Sequence, residues 1–355
     1  MVSEPTAPHL LRAGPDTVGQ VRYYSHHGLT FDLDDRGPSD GPPVVLLHGW
    51  PQDRTAWRPI TERLNAAGMR TLAPDLRGYS PGARPPQWTD YEIGKLVEDV
   101  TALLDTAGID RVHLVGHDWG GALAWTLASR HPERIATLSV LSTPHPAAMI
   151  WAMTHADQKK RSAYMLFFAI PVLPAVVLRW LIGPMLRRTG MPADLVAYYT
   201  RQMRRPGVLT TSLNWYRASI TIGLRRVAAS WWPSLRRGLR LGRRGATGGQ
   251  ETAGRAGAER REKTPSGGVE ALPPVLPTTY LWGRRDGAFS PEAAQRTETV
   301  LARRAEQAGI DPAEVLTVIA IDEGHWLPEL AADICADAII ARVQGRSATS
   351  LPQPA

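Results

Sequence analysis

The segment 111–127, RVHLVGHDWGGALAWTL, constrains the fold of this chain more than any other stretch. Residues 112–115 predict a short buried strand, residues 116–121 a sharp turn, and residues 122–127 the start of a helix. Glycines flank the turn because it is tight and because the helix must pack close to the strand. A strand, turn and helix of this kind lift one side chain above a parallel sheet, and here that side chain is Asp118.

The raised residue in the familiar form of this turn is a serine, and an aspartate changes the chemistry that the turn supports. A carboxylate is a poor nucleophile toward esters and amides, but it can displace a leaving group from an sp3 carbon. The product is an alkyl ester of the aspartate, which water can cleave. Asp118 therefore indicates epoxides or alkyl halides as substrates. The alternative is a turn aspartate that only caps the following helix.

Two further polar residues follow predicted strands. Asp286 comes after the strand predicted over residues 277–282, and His325 comes after the strand predicted over residues 316–321. Ligands collect beyond the carboxyl ends of parallel strands, so both side chains are expected near Asp118. His325 would activate water, and Asp286 would orient its imidazole and balance its charge. Taken singly, the histidine fits an ordinary loop and the aspartate, which precedes a glycine, fits a turn.

The sequence HGWP at residues 48–51 follows a buried strand predicted over residues 43–47. This is where an oxyanion hole is built in such a sheet. The backbone N–H groups of Trp50 and Trp119 could converge on a developing negative oxygen, which during ester hydrolysis is the carbonyl oxygen of Asp118 itself. The alternative is an ordinary turn between a strand and a helix.

The order of strands and helices predicts an α/β fold with a mostly parallel sheet flanked by helices. Residues 1–146 form the first part of this core, residues 147–232 a helical cap, and residues 273–355 the second part. Residues 233–272 are rich in Gly and Arg and are expected to be a disordered insertion. The predicted strands are 18–24 and 29–33 at the edge, then 43–47, 70–73, 112–115, 135–141, 277–282 and 316–321, and the predicted helices are 55–67, 91–107, one beginning at 122, 291–306 and 330–343.

The net charge of +7 is unevenly distributed along the chain. Residues 217–263 hold twelve Lys or Arg and three Glu, whereas the remaining residues hold 29 basic and 31 acidic side chains. The basic character belongs to one segment, so no nucleic-acid partner is expected. An alternative for this basic insertion is contact with an anionic membrane.

The apolar segment 165–178 contains Pro171 and Pro174 and is too short for a confident membrane span. A buried or lid segment is expected there, with contact to lipid or to an apolar substrate as the alternative. Cys335 is the only cysteine, which excludes an internal disulfide. The first residues lack the pattern of a secretory signal, so a cytoplasmic location is expected.

These motifs resemble those of the α/β-hydrolase superfamily and, within it, of the epoxide hydrolases. The resemblance covers residues of about 20–232 and 273–343, and it rests on HGWP, GHDWGG, the aspartate in WGRRDGAF and the histidine in DEGHW. It implies an α/β-hydrolase fold with an inserted helical cap. It also implies Asp118 as nucleophile, Asp286 as acid and His325 as base.

Two segments of the predicted cap, YMLFF and LNWYR, resemble those that carry the ring-opening tyrosines of epoxide hydrolases. The resemblance implies that Tyr164 and Tyr216 stabilise the charge that forms on the epoxide oxygen and then deliver a proton. Both residues also fit ordinary aromatic packing in a helical cap. Tyr198 and Tyr199 are competing candidates for the same role.

The sequence thus predicts a hydrolase that needs no cofactor or metal and acts on a small apolar epoxide and water. An alternative is a haloalkane-type dehalogenase with the same Asp118 nucleophile. A halide needs N–H donors, of which Trp119 could be one, but position 50 is Trp rather than the Asn of some dehalogenases. A non-catalytic binding protein of the same fold is a third possibility. The oligomeric state is left open.

Overall fold

An eight-stranded sheet forms the centre of the computed structural model, which describes residues 21–223 and 275–346. Its strands are β1 (Tyr23–His26), β2 (Leu29–Arg36), β3 (Pro43–Leu47), β4 (Arg70–Pro74), β5 (Val112–His117), β6 (Ile135–Leu141), β7 (Thr278–Gly283) and β8 (Leu316–Ile321). They lie in the order β1-β2-β4-β3-β5-β6-β7-β8. The β1–β2 and β2–β4 pairs are antiparallel, and all pairs from β4 to β8 are parallel. The predicted mostly parallel sheet is confirmed.

The parallel strands are apolar on both faces of the sheet. Successive side chains of a strand point to opposite faces. In β3, Val45 and Leu47 join the apolar core on one face, whereas Val44 and Leu46 join the core on the other. A sheet of this kind requires helices on both faces to keep its side chains from water.

Helices cover both faces of the sheet, and a further group lies between β6 and β7. The helix α1 contributes Ile60 and α14 contributes Ile339 to the core that contains Val44, whereas α2 contributes Val100 to the core that contains Val45. The helices are α1 (Arg58–Ala66), α2 (Ile93–Thr106), α3 (Trp119–Arg130), α4 (Pro146–His155), α5 (Gln158–Arg161), α6 (Tyr164–Phe168), α7 (Leu173–Arg188), α8 (Ala193–Met203), α9 (Val208–Ser212), α10 (214–223), α11 (Pro291–Gln307), α12 (Pro312–Val315), α13 (Leu327–Leu330) and α14 (Ala332–Val343).

The predicted bounds of the strands at 43–47, 135–141 and 316–321 agree with the structure. The prediction for the first strand was wrong at its start, because β1 begins at Tyr23, and residues 18–20 lie outside the described part of the chain. The prediction that both early strands lie at the edge was also wrong. The strand β2 lies between β1 and β4, so β1 alone is at this edge of the sheet.

Two helix predictions need correction. The helix after the sharp turn begins at Trp119 rather than at residue 122, because the carbonyl of Asp118 already accepts a hydrogen bond from the N–H of Ala122. The closing helix is divided at Ala331 into α13 and α14 rather than running continuously over residues 330–343.

The seven helices α4 to α10, here called the inserted helices, occupy the stretch predicted as a cap, as far as residue 223. The Gly/Arg-rich segment predicted over residues 233–272 lies outside the described residues. In the described part of the chain, no single helix meets the length and hydropathy expected of a membrane span, although a bent pair, Gln158–Phe168 with Leu173–Arg188, meets them together.

The turn between β5 and α3 places Asp118 in an uncommon backbone conformation. Its φ of 50° lies in the left-handed region, where a non-glycine residue is strained. The helix that follows packs so close to the sheet that a Cβ atom on Gly120 would collide with the backbone of Leu47. A Cβ atom on Gly116 would likewise collide with the backbone of Gly120. The glycines of the motif therefore permit the close approach that fixes Asp118.

The substitution Gly120→Ala tests this close approach. The new Cβ would meet a backbone carbonyl that cannot rotate away, so we expect the free energy of unfolding to fall by about 1–3 kcal/mol. Gly94→Ala is the matched control, because Gly94 is also the second residue of its helix and its Cβ would meet only the flexible side chain of Arg130. The control should keep or slightly gain stability, since alanine favours helices. If urea unfolding showed the same loss of free energy of unfolding for Gly120→Ala and for Gly94→Ala, the proposed contact would be contradicted.

Candidate active site

Asp118, Asp286 and His325 converge at the carboxyl ends of three parallel strands. Nδ1 of His325 lies 2.9 Å from Oδ2 of Asp286, and Nε2 lies 3.6 Å from Oδ2 of Asp118. All three side chains are buried. Asp118 directly follows β5, whereas Asp286 and His325 lie in the loops after β7 and β8. The imidazole ring therefore lies between two carboxylates, with one ring nitrogen facing each.

The two neighbouring carboxylates favour the protonated form of His325. Burial alone lowers the pKa of His325, but the charge of Asp286 and the hydrogen bond and charge of Asp118 outweigh burial and raise that pKa to about 10. Burial raises the pKa of Asp118, but the hydrogen bond and charge of His325 and the N–H of Trp50 outweigh it and lower that pKa below its usual value. The resting site therefore contains an imidazolium beside the ionised carboxylate of Asp118.

The Asp286 carboxylate is fixed by its own loop. Its Oδ1 accepts hydrogen bonds from the backbone N–H groups of Ala288 and Phe289, at 2.7 and 3.0 Å. The guanidinium of Arg161 donates to the backbone carbonyl of Asp286 at 2.8 Å. One oxygen of the carboxylate is thus held by the backbone, which leaves Oδ2 to orient His325.

The loop after β3 supplies a hydrogen-bond donor to the Asp118 carboxylate. The backbone N–H of Trp50 donates to Oδ1 of Asp118 at 2.8 Å. A Cβ atom on Gly49 would collide with the Asp118 side chain, so this position of the HGWP motif requires glycine. Trp119, the other predicted donor, is the first residue of α3 and directly follows Asp118. The two oxygens of Asp118 are therefore distinct, because Oδ1 meets a backbone donor and Oδ2 faces His325.

Tyr164 and Tyr216 line the same cavity as Asp118, and their ring centres lie 6.1 Å apart. Burial raises the pKa of Tyr216 well above its usual value, and the neighbouring Tyr164 and Asp118 raise it further. Tyr164 is 38% exposed as a residue, but its hydroxyl is surrounded by protein, and this burial, with the charge of Asp118, also raises its pKa. Both phenols are therefore protonated and able to donate.

The competing tyrosines are engaged elsewhere. The hydroxyl of Tyr198 donates to Oδ2 of Asp53 at 2.9 Å, and the hydroxyl of Tyr199 donates to Oε1 of Glu329 at 3.0 Å. Neither of them lines the cavity that contains Asp118.

The cavity above Asp118 has a volume of about 410 Å³. The inserted helices supply most of its apolar wall, through Phe168, Met185 and Leu186, and the loop after β8 adds Trp326. Its polar groups are Asp118, His325 and the two tyrosines described above, together with Thr189 and three arginines, Arg161, Arg188 and Arg285. A cavity of this size and lining suits a small, mostly apolar molecule with one reactive polar group.

A buried polar network behind the site was missed in the sequence. Gln52 donates through Nε2 to the carboxylate of Glu329, and its Oε1 lies 2.8 Å from Nδ1 of His117. Nε2 of His117 lies 2.9 Å from the backbone carbonyl of His325, which also accepts from the hydroxyl of Ser142 at 3.0 Å. This network holds the loop that carries His325. In the sequence, this network was indicated only by the position of Gln52 directly after HGWP and by that of His117 directly before Asp118.

One group of potential metal ligands occurs among the described residues, although the sequence predicted no metal site. His26, His27 and Glu98 place one ligand atom each within 4.8 Å of one another. None of the three lines the cavity of Asp118. The turn between β1 and β2 brings the two histidines beside α2, a proximity that the sequence alone does not indicate.

Comparison with known proteins agrees with the fold and with the motifs. Residues 42–332 match the family model described as the alpha/beta hydrolase fold. The chain is 31% identical over 238 residues to epoxide hydrolase A of Mycobacterium tuberculosis, a match that covers 55% of this chain and 73% of that protein. It is 37% identical over 152 residues to epoxide hydrolase 3 of Xenopus tropicalis, but this match covers only 42% of this chain and 41% of the relative.

Solved structures show the same architecture. A structure described among novel epoxide hydrolases from metagenomes of hot environments superimposes with a TM-score of 0.66 at 26% sequence identity. The superposition covers 92% of this chain and 99% of that structure.

The charge of His325 predicts a pH dependence of stability. The pKa of His325 rises from 6.5 in the unfolded chain to about 10 in the folded protein. The stabilisation that the charged ring contributes to folding is therefore complete below pH 6.5 and is lost as the pH rises toward 10. The loss of stability caused by His325→Gln should therefore shrink between these pH values in urea unfolding. His113→Gln is the control, because burial lowers the pKa of His113. A His325→Gln effect that stays constant or grows with pH would contradict the assignment.

Proposed function

The chain belongs to the α/β-hydrolase fold family and, within it, to the group that contains the epoxide hydrolases, and from this premise we propose that it hydrolyses small apolar epoxides to vicinal diols. The observation that carries the proposal is the cavity in which the Asp118 carboxylate faces two protonated phenols, Tyr164 and Tyr216. In this proposal residues 147–232 act as a cap over the core, and water is the second substrate.

In the first step, Oδ2 of Asp118 attacks a ring carbon of the epoxide and the bond from that carbon to the ring oxygen breaks. Oδ2 is the nucleophilic oxygen because Oδ1 is held by the N–H of Trp50. The phenols of Tyr164 and Tyr216 donate hydrogen bonds to the departing oxygen, and one of them transfers its proton to it. The products of this step are an ester of Asp118 and a hydroxyl group on the neighbouring carbon.

Ester formation prepares His325 for the second step. Esterified Asp118 carries no charge, so one of the two carboxylates that raise the pKa of His325 is lost. The imidazolium then gives up its proton more readily, which restores the phenol that protonated the ring oxygen. The neutral ring, oriented by Asp286, takes a proton from water as the water attacks the carbonyl carbon of Asp118.

The negative oxygen that forms during hydrolysis is Oδ1 of Asp118. The N–H of Trp50 already donates to this atom at 2.8 Å, and the N–H of Trp119 is proposed as the second donor. Cleavage of the ester transfers the remaining proton of the attacking water to the departing oxygen, which releases the diol and regenerates the carboxylate of Asp118. Neither step needs a cofactor.

A haloalkane-type dehalogenase would use the same nucleophile but would need N–H donors for the halide. The indole Nε1 of Trp50 donates to the hydroxyl of Ser212 at 3.3 Å, so it is already engaged. The two phenols suit an oxygen that gains a proton better than a halide ion. Glycol formation rather than halide release from matched substrates is therefore expected.

The variant His325→Gln should trap the ester. Asp118 still attacks, but hydrolysis lacks its base, so a peptide that contains Asp118 should gain the mass of the epoxide after a single turnover. Asp118→Asn is the control, because its amide cannot attack and the same peptide should stay unmodified. Mass spectrometry of the digested protein measures both. An unmodified Asp118 peptide in His325→Gln, with epoxide present in excess, would argue against a covalent mechanism.

Replacement of the two cavity tyrosines tests the role of the cap. Loss of one donor to a developing oxyanion costs roughly 10²-fold in rate, so Tyr164→Phe and Tyr216→Phe should each slow ester formation by about that factor, and the double variant should abolish it. Tyr198→Phe is the matched control, because its hydroxyl donates to Asp53 outside the cavity. Rapid-quench kinetics gives the rate of ester formation. Epoxide turnover retained in the double variant would remove these tyrosines from the mechanism.

A further inference from the structure

The exposed apolar side chains of this protein are concentrated in one segment. Of the eleven large hydrophobic residues that are exposed in the described part of the chain, ten lie between Ile150 and Leu181. The eleventh, Tyr23, lies on the edge strand β1. Single exposed apolar residues are ordinary on soluble proteins, but a group of this size on adjacent helices indicates an interaction surface.

The helix α7 presents an apolar stripe to solvent. Leu173, Val176 and Trp180 recur at intervals of three and four residues and are 52%, 56% and 70% exposed. On the buried side of the same helix, Leu178 and Ile182 pack into the core. A surface helix normally turns polar residues toward water, so the outer side of α7 is arranged for contact with an apolar phase.

Between Asp157 and Asp194, the segment that carries this stripe has charges of only one sign. Residues 158–193 contain six Lys or Arg and no Asp or Glu. Arg179 and Arg187 are exposed on α7 itself. Exposed Trp and Leu beside basic side chains are typical of helices that lie in the interface of a membrane with anionic lipids.

We propose that this surface, formed by the exposed apolar residues of 164–181 with Arg179 and Arg187, docks on an anionic lipid bilayer. The apolar side chains enter the boundary between head groups and acyl chains, and the guanidinium groups contact lipid phosphates. The helical segments Gln158–Phe168 and Leu173–Arg188 meet at an angle of 119°.

The charge pattern distinguishes a bilayer from a second copy of this chain. Two copies that shared this surface through a twofold axis would bring their basic side chains together, and like charges repel. Anionic lipids would instead neutralise the same side chains. The proposal does not depend on the chemistry in the cavity, although α6 and α7 also contribute Tyr164 and Leu186 to the cavity wall.

Vesicle co-sedimentation of the full chain tests the proposal. The chain should sediment with vesicles of phosphatidylcholine mixed with phosphatidylserine, and much less with phosphatidylcholine alone. The double variant Val176→Ser/Trp180→Ser should weaken binding to the mixed vesicles by about tenfold or more, because it removes apolar groups that enter the bilayer. Tyr23→Ser is the matched control, since Tyr23 is 64% exposed but lies outside this surface, and it should bind like the wild type.

A charge variant and an activity assay complete the test. Arg179→Gln/Arg187→Gln should lower the affinity for mixed vesicles by roughly tenfold and reduce its dependence on salt. All variants should turn over a water-soluble epoxide at the wild-type rate, which shows that they fold. Wild-type chain that stays in the supernatant with anionic vesicles would overturn the proposal. A dimer in sedimentation analysis that the Val176/Trp180 variant dissociates, without vesicle binding, would assign the surface to a second copy instead.

Discussion

Two buried carboxylates, Asp118 and Asp286, share one imidazolium ring, and the arrangement of the site follows from the need to keep these charges in the interior. A buried charge is costly unless it is paired and hydrogen-bonded. The carboxylates meet this condition through His325, the N–H of Trp50 and the N–H groups of the loop after Asp286. The same contacts leave Asp118 lining the cavity, so the network that stabilises the charges also keeps this carboxylate accessible from the cavity.

The sequence predicted the sheet and the three central residues because their signals are local. Each of these residues follows a strand of the parallel sheet, and the glycines around Asp118 are required by a close approach that the structure contains at Gly120. The polar network behind the site could not be predicted, because Gln52 and Glu329 are 277 residues apart and nothing in either neighbourhood indicates the other. The start of the first strand was predicted wrongly for a different reason, because an edge strand carries a weaker apolar pattern than a central strand.

The inserted helices connect the interior chemistry with the outer surface. Inside, α6 and α7 bring Tyr164 and Leu186 to the cavity, whereas outside, α7 presents Val176 and Trp180 to solvent. An apolar epoxide partitions into lipid, so a surface that docks on a bilayer would place the cavity where such a substrate is concentrated. Tyr164 in the cavity and the outer stripe of α7 thus both belong to one helical segment that is apolar on its inner and outer sides.

The path of the oxygen atom from water tests the central claim most directly. In a single turnover of the wild-type chain in water enriched in ¹⁸O, water attacks the carbonyl carbon of Asp118, and the oxygen that enters the diol comes from the carboxylate. The account therefore predicts ¹⁸O in the Asp118 peptide and an unlabelled diol. An ¹⁸O-labelled diol with an unlabelled peptide would show that water attacks the epoxide itself, and it would contradict the role of Asp118 as nucleophile.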